Sequence, residues 1–205
     1  MSLPHVTYQP VYQGHPIQAS PELGLGCRED ILGKGLSIIE HAVGEHVRVF
    51  FMRLDFRYPK GGDHASRGNL FQGFLASFTN YLKRHGYAPL NLWVREQADS
   101  PVPHYHVALM LDGIQTSSAR GHLEKAVELW GTVLDIEDAK GLVHLCPTMV
   151  NGKAQDGVMV ERGAADYQAM FDHCFHWLSY MAKETSKGDA PWHHREFGGS
   201  QVPRR

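Results

Sequence analysis

Apolar and polar residues alternate along some stretches of this chain and recur at helical spacing along others. Apolar residues at every second position predict long strands at 47–58, 90–97 and 104–111, and shorter apolar runs predict strands at 142–146 and 158–160. Apolar residues at positions i, i+3 and i+4 predict amphipathic helices at 27–46, 69–85, 117–134 and 164–185.

The order of these elements predicts a fold class. Without the first helix, the order is β-α-β-β-α-β followed by a helix, which is the order of the ferredoxin-like split βαβ fold. We therefore predict an α+β protein with an antiparallel sheet of about five strands, helices packed on one face, and the other face open for function. Residues 1–26, rich in Pro, Gly and Gln, are predicted to form an extended N-terminal arm. Residues 27–186 are predicted to form one domain that includes the helix at 27–46, and residues 187–205 a C-terminal tail.

Composition narrows the class of protein. The 205 residues are 42% hydrophobic and 20% charged, as in an ordinary globular domain, and no apolar run approaches the ~20 residues of a membrane span. The three cysteines are scattered without a C-x-x-C pair, so we expect reduced thiols, a cytoplasmic location and no membrane partner. The net charge of −2 argues against a general nucleic-acid coat, but it leaves room for a site-specific DNA enzyme with local basic clusters.

Two histidines stand at alternate positions of one predicted strand. The side chains of His104 and His106 therefore share one face of the sheet, while Tyr105 and Val107 point to the other. An imidazole pair in this arrangement can hold a divalent metal ion. With 14 histidines in the chain, the alternative is a chance pair satisfied by neighbouring side chains.

A carboxylate lies close enough in sequence to complete a metal site. Glu96 precedes His104 by eight positions across the predicted turn and could be its cross-strand neighbour. Mg²⁺ or Mn²⁺ would suit a phosphoryl substrate, and Mn²⁺ accepts imidazole more readily. Alternation from Leu92 and Val94 places Glu96 on the core face. A bulge near the end of the strand would bring it to the histidines, but the sequence shows no sign of one. The alternative is a surface carboxylate paired with Arg95 or a lysine.

A tyrosine and a lysine stand three residues apart in the last predicted helix. Tyr180 and Lys183 would share one helix face, and His176 lies four residues before the tyrosine. A phenol is a poor nucleophile until a base or a cation activates it. Lys183 could orient a phosphate or stabilise a developing phenolate, and His176 could act as a base or hydrogen-bond partner. The alternative is an amphipathic helix in which Tyr180 is packed and Lys183 extends to solvent.

Together these motifs resemble those of the HUH-superfamily endonucleases, which have a histidine pair on a strand and Y-x-x-K on a later helix. Within the superfamily the chain is most similar to the inovirus gene-two replication protein family, also labelled YagK/YfjJ, over residues 45–200. The similar segments are Arg53-Leu54-Asp55, Trp93-Val94-Arg95-Glu96, Pro103-His104-Tyr105-His106, Tyr180-Met181-Ala182-Lys183 and Phe197-Gly198-Gly199-Ser200.

The resemblance implies a function. His104, His106 and Glu96 would hold the metal, and Tyr180 would attack a phosphate and stay joined to the 5′ end, so that the free 3′ end starts rolling-circle replication of a phage, prophage or plasmid. It implies single-stranded or hairpin origin DNA as the substrate, with a separate helicase and a host polymerase as partners. His176 stands where some initiators carry a second tyrosine, so the resemblance is to a single-tyrosine enzyme. The residues expected to support the site or bind DNA are Arg53, Asp55, Arg57, Trp93, Arg95 and His176; core packing is the alternative for Trp93.

Three other functions stay open at this point. The chain could be a catalytically silent DNA-binding regulator with the same fold, although intact His104, His106, Tyr180 and Lys183 argue against loss of activity. It could be an HUH transposase or conjugative relaxase. It could also be a metal-dependent hydrolase unrelated to DNA, in which Tyr180 has only a structural role.

Overall fold

The computed structural model of the chain describes residues 4–60, 70–97, 102–187 and 195–203. Within these residues the α-helices are α1 (Glu29–Glu45), α2 (Leu70–Arg84), α3 (Arg120–Leu134) and α4 (Tyr167–Ser179). The strands are β1 (Val6–Thr7), β2 (Val11–Tyr12), β3 (His15–Pro16), β4 (Cys27–Arg28), β5 (Arg48–Arg57), β6 (Leu90–Glu96), β7 (His104–Asp112), β8 (Val143–Leu145), β9 (Thr148–Val150), β10 (Lys153–Gln155), β11 (Val158–Glu161) and β12 (Phe197–Gly199). None of the described helices combines the length and the apolar character that a bilayer span requires.

Six of the strands form one antiparallel sheet. Its order is β11–β5–β7–β6–β12, and β8 pairs with β5 beyond the end of β11. The central strands β5 and β7 pair along nine residues of each strand, from Val49 opposite Asp112 to Arg57 opposite His104. The segment from β5 to β8, with α2 and α3 as its helices, has the β-α-β-β-α-β order. The predicted α+β class with an antiparallel sheet is thus confirmed.

Helices cover both faces of this sheet. The two helices of the split βαβ unit, α2 and α3, pack together on the face that carries Phe56, Val107 and Leu109. Helices α1 and α4 pack on the opposite face over Phe51 and Met110, so the face that we predicted to be open is only partly free. The central strands are apolar on both faces along most of their length, as in sheets buried between two layers. The polar residues of the second face are confined to one end of the strands.

The last helix is shorter than its apolar pattern predicts. Helix α4 ends at Ser179, a 3-10 turn follows at Tyr180–Ala182, and Lys183 is extended with φ −52° and ψ 132°. The Ser179 hydroxyl donates to the carbonyl of His176 at 2.7 Å and accepts from the backbone N–H of Gln18 at 2.8 Å. A serine that bonds to its own backbone in this way competes with helix continuation. Tyr180 and Lys183 are therefore not on one α-helix face, which corrects the predicted helix at 164–185.

Both ends of the described chain pack on the domain. In the segment predicted as an extended arm, β2 pairs with β3, Ile17 and Ala19 are buried, and His15 Nδ1 lies 2.7 Å from Asp172 Oδ1 of α4. In the segment predicted as a tail, β12 pairs with β6 and forms an edge of the sheet. Each end thus contributes to the structure around the sheet.

Packing of α4 on the sheet can be tested with a matched pair of leucines. Leu178 is fully buried and lies, with Leu92, against Gly35 of α1, whereas Leu23 is 73% exposed. We expect Leu178→Ala to lower the free energy of unfolding by about 2–5 kcal/mol in urea denaturation. Leu23→Ala should change it by less than about 0.5 kcal/mol. Equal effects of the two substitutions would contradict this packing.

Candidate metal centre and tyrosine site

Three possible metal ligands converge at one end of the sheet. Glu96 of β6 lies directly opposite His104 of β7, and His106 follows on the same face. Glu96 Oε2 is 3.4 Å from His104 Nε2 and 3.1 Å from His106 Nε2, and the candidate ligand atoms of the three residues lie within 4.8 Å of one another. Two imidazole nitrogens and one carboxylate oxygen are donors that suit a divalent ion. This group could therefore hold a metal ion.

Glu96 reaches the histidines without a bulge. The β6–β7 ladder continues in unbroken register from Leu90 opposite Met110 to Glu96 opposite His104. Leu92 and Val94 thus share a face with Glu96 and with the histidines, and that face is apolar core at one end and polar at the other. No bulge is needed to bring Glu96 to the histidines, because one face of the sheet carries both the apolar core and the site.

A second carboxylate, that of Asp55, bonds to the ring nitrogen of His106 that does not contact Glu96. Asp55 of β5 lies opposite His106 of β7, and the ring N–H at Nδ1 donates to Asp55 Oδ1 at 2.5 Å. This bond leaves Nε2 facing Glu96, as second-shell carboxylates do for metal-binding histidines. Burial, followed by the charge of Asp55, raises the pKa of the Cys146 thiol to about 12. Cys146 therefore remains a protonated thiol at neutral pH.

Charges around His106 set its protonation. Burial alone would lower the pKa of His106, but the bonds to Asp55 and Glu96 outweigh burial and raise it. Burial would likewise raise the pKa of Asp55, yet the bond from His106 and its charge lower it. For Glu96, the bonds from His104 and His106 and the charge of Lys187 outweigh burial, so its pKa lies well below the usual range. Both carboxylates are therefore ionised at neutral pH.

A buried lysine occupies the other oxygen of Glu96. The Lys187 ammonium forms an ion pair with Glu96 Oε1, and its side chain is only 2% exposed. Burial lowers the pKa of Lys187, although the neighbouring Glu96 acts against that shift. No sequence pattern points to Lys187, because it falls in the predicted tail and has no characteristic spacing from the other residues. Only the tertiary fold brings it to Glu96.

Tyr180 stands beside His106 and next to two cations. Its ring meets His106 edge-on, with centroids 5.9 Å apart and an interplanar angle of 87°. The Lys183 ammonium lies 4.0 Å from the centroid of the tyrosine ring, and the Arg53 guanidinium lies 5.0 Å from it. Tyr180 is 37% exposed. Tyr180 is thus partly exposed to solvent at the point where the candidate ligands and the cations meet.

Arg53 links the sheet to the turn that carries Tyr180. Its side chain is buried, and Nη1 donates to the carbonyl of Trp177 at 2.9 Å, near the end of α4. Within the part of the chain that the structure describes, Nε has no hydrogen-bond partner. A buried guanidinium fixed at one end and with one unbonded donor retains capacity for an anionic ligand.

The other predicted site residues lie at the rim of the site, on the opposite face of the sheet or in α4. Arg57 shares the face of Asp55, lies opposite His104 and is exposed at the rim of the site. Trp93 and Arg95 point to the opposite face of the sheet, and Trp93 is buried there in the layer of α2 and α3. His176 lies one helical turn before Tyr180, and burial, followed by the charge of His173, lowers its pKa. The structure therefore brings together the predicted residues Arg53, Asp55, Glu96, His104, His106, Tyr180 and Lys183, and it leaves Trp93 and Arg95 on the other face.

Comparison with known families agrees with this arrangement of motifs. The family model described as the YagK/YfjJ C-terminal domain matches residues 20–200. The chain belongs to this family. Searches of curated proteins and of solved structures returned no match.

The raised pKa of His106 makes metal binding depend on pH. An imidazole binds metal in its neutral form. The raised pKa keeps His106 protonated at pH values above about 6.5, the ordinary pKa of a histidine. We therefore expect Mn²⁺ binding to release protons near neutral pH and to weaken as the pH falls. Calorimetry in two buffers of different ionisation enthalpy measures the proton release. Asp55→Asn removes one of the groups that raise the pKa, so it should reduce the release at pH 7; unchanged release would contradict this account.

The ammonium of Lys187 should compete with a divalent ion for Glu96. A positive charge a few Å from a bound cation is repelled by several kcal/mol at an effective dielectric constant of about 20, and loss of the Glu96 tether offsets only part of this. We expect Lys187→Met to bind Mn²⁺ about tenfold more tightly in calorimetry. Lys125→Met, which removes the surface partner of Glu128, is the control and should leave the affinity unchanged. Weaker binding by Lys187→Met would show that the ammonium instead positions Glu96 for the metal.

Proposed function

We propose that this protein is a site-specific single-strand DNA endonuclease and strand transferase that initiates rolling-circle replication through a covalent 5′-phosphotyrosine. The observation that carries the proposal is the position of Tyr180. Its ring contacts His106 of the candidate metal group and lies next to the cations of Lys183 and Arg53. A nucleophile, metal ligands and phosphate-binding cations in one site are the parts that phosphoryl transfer to a tyrosine requires.

The chain's own residues account for most of the chemistry. The Tyr180 oxygen forms a bond to phosphorus, the bond from phosphorus to the 3′ oxygen breaks, and the phenolic proton is lost while the leaving oxygen gains one. Lys183 and Arg53 stabilise negative charge on the phenol oxygen and the phosphate. Glu96, His104 and His106 would hold the metal, with Asp55 orienting His106. A bound Mg²⁺ or Mn²⁺ would supply Lewis-acid polarisation of the scissile phosphate.

The proposed reaction defines the substrate and partners. The scissile phosphate must reach Tyr180 in line with the leaving oxygen, and an unpaired strand or an extruded hairpin satisfies this condition more readily than a duplex. The phosphotyrosine conserves the energy of the broken bond, so the strand can be resealed later. A free 3′ end would be extended by a host polymerase, with a separate helicase to unwind the duplex. We place this reaction in the cytoplasm, on the DNA of a phage, prophage or plasmid.

A covalent-adduct assay tests the proposal. The protein is incubated with Mn²⁺ and a library of single strands that have a randomised core and a fluorescent label at the 3′ end, because the downstream fragment stays on the protein. We expect a labelled protein band that survives denaturation, and sequencing of its DNA should reveal a preferred cleavage site. Tyr180→Phe should give no detectable band because it lacks the attacking oxygen.

The matched control for this assay is Tyr87→Phe. Tyr87 packs against His85 and His122 on the side of α2 and α3, and its loss should leave the adduct unchanged. A mobility shift without any adduct would indicate a silent DNA-binding regulator instead. Metal-dependent turnover of a phosphoester that survives Tyr180→Phe would indicate a hydrolase unrelated to strand transfer.

A further inference from the structure

A polar groove of about 670 Å³ runs along the edge of the sheet, between α2 and β12. This volume is within the range of roughly 300–1,000 Å³ that is typical of ligand sites. The buried aromatic residues Phe71, Trp93 and Tyr105 contribute to its lining, on the sheet face opposite to the histidine pair. The groove is therefore separate from the candidate metal centre.

The groove has the charge of a site for an anionic ligand. Lys34 and Arg195 line it, and no carboxylate does so within the part of the chain that the structure describes. Lys34 Nζ donates to the carbonyl of Ser200 at 2.7 Å, which fixes the ammonium at the end of the groove where β12 ends. Arg195 precedes β12 and is exposed at the other end. Cations placed at the two ends of a groove suit a backbone of phosphates.

Amide side chains occupy the groove between these cations. Gln72 and Asn80 of α2, Asn91 of β6 and Gln201 after β12 all line it. An amide offers two N–H donors and one carbonyl acceptor, which match the hydrogen-bonding edges of nucleobases. A set of amides without carboxylates can pair with unpaired bases and does not repel their phosphates.

Asn91 is the most buried of the amide residues that line the groove. The residue is only 7% exposed, and its backbone N–H and carbonyl bond to Ser200 beside β12. These two backbone bonds hold Asn91 in a fixed place on the groove wall. Its side-chain amide can therefore donate to and accept from a ligand without a change in the backbone.

The groove begins at the same end of β6 as the candidate metal centre. Phe197 of β12 pairs with Val94, so Arg195 lies level with Glu96 across this antiparallel pair. The backbone N–H of Arg95 also donates to the carbonyl of Glu196 at 2.6 Å, which extends the pairing of β6 with the chain that leads into β12. One end of the groove therefore lies level with the candidate metal centre along β6, and the groove continues from there past Asn91.

From these observations we infer that the groove between α2 and β12 binds an unpaired DNA segment next to the cleaved phosphate, with its amides on the bases and Lys34 and Arg195 on the phosphates. The inference rests on the proposed function in taking single-stranded DNA as the ligand. It adds a second DNA-binding site that reads bases on the sheet face opposite to Tyr180.

The test places a negative charge in the groove without changing side-chain size. Gln72→Glu and Asn80→Asp alter exposed residues of α2, so the fold should be preserved. Binding of a fluorescein-labelled single strand of mixed sequence is followed by anisotropy in EDTA, which removes any contribution from metal. We expect each substitution to weaken binding about fivefold or more, because the new carboxylate repels the phosphates. Gln155→Glu, on the exposed β10 strand, is the matched control and should bind like the unaltered protein.

The outcomes separate this inference from the proposed function. Adduct formation by the unaltered protein, with unchanged strand binding by both groove variants, would overturn the groove and leave the nuclease in place. Groove-dependent strand binding without any adduct would support the groove and overturn the nuclease. Failure of the unaltered protein to bind the single strand, or equal competition by a duplex of the same sequence, would also overturn the inference.

Discussion

The ionised Glu96 carboxylate is the group around which the polar end of the sheet is organised. A carboxylate that is almost fully removed from solvent must have its charge compensated, and here His104, His106 and Lys187 all contact it. Asp55 in turn balances the charge of His106 through a bond to its other ring nitrogen. One chain of charge-assisted bonds therefore links the three strands β5, β7 and β6. This linkage fixes the orientation of the His106 imidazole before any ion binds. A divalent ion would replace the Lys187 ammonium and the His106 proton, which balance the carboxylate charge when no ion is bound.

The position of Glu96 and the two histidines depends on a sheet that is buried on both faces. Phe51, Val94 and Met110 pack under α1 and α4, and the same face becomes polar only beyond them, at Asp55, Glu96 and His104. The apolar part of the layer thus ends where the candidate centre begins. Apolar packing on one side of the centre and solvent on the other favours strong electrostatic interactions at a site that remains partly open to solvent.

The end of α4 brings Tyr180 and Lys183 to the candidate site. Ser179 ends the helix, the following 3-10 turn brings Tyr180 against His106, and the extended Lys183 places its ammonium over the phenol ring. Arg53 fixes this turn to β5 through the carbonyl of Trp177. The candidate nucleophile is therefore held by a backbone change in α4 and by a cation from the sheet. The groove beside β12 lies on the other face, so DNA contacts of the proposed enzyme would extend around the end of β6.

Local patterns in the sequence were enough to predict the α+β class, the long strands and the residues of the candidate metal group. Alternation places His104 and His106 on one face whatever surrounds the strand, and the eight-residue spacing of Glu96 fits a hairpin. The helices on both faces could not be predicted, because an apolar residue in a strand does not reveal which layer covers it. The early end of α4, the role of β12 as an edge strand and the contact of Lys187 with Glu96 depend on segments far apart in the chain. Those features were decided by tertiary packing, since buried charges and unpaired backbone groups find partners only once the chain has folded.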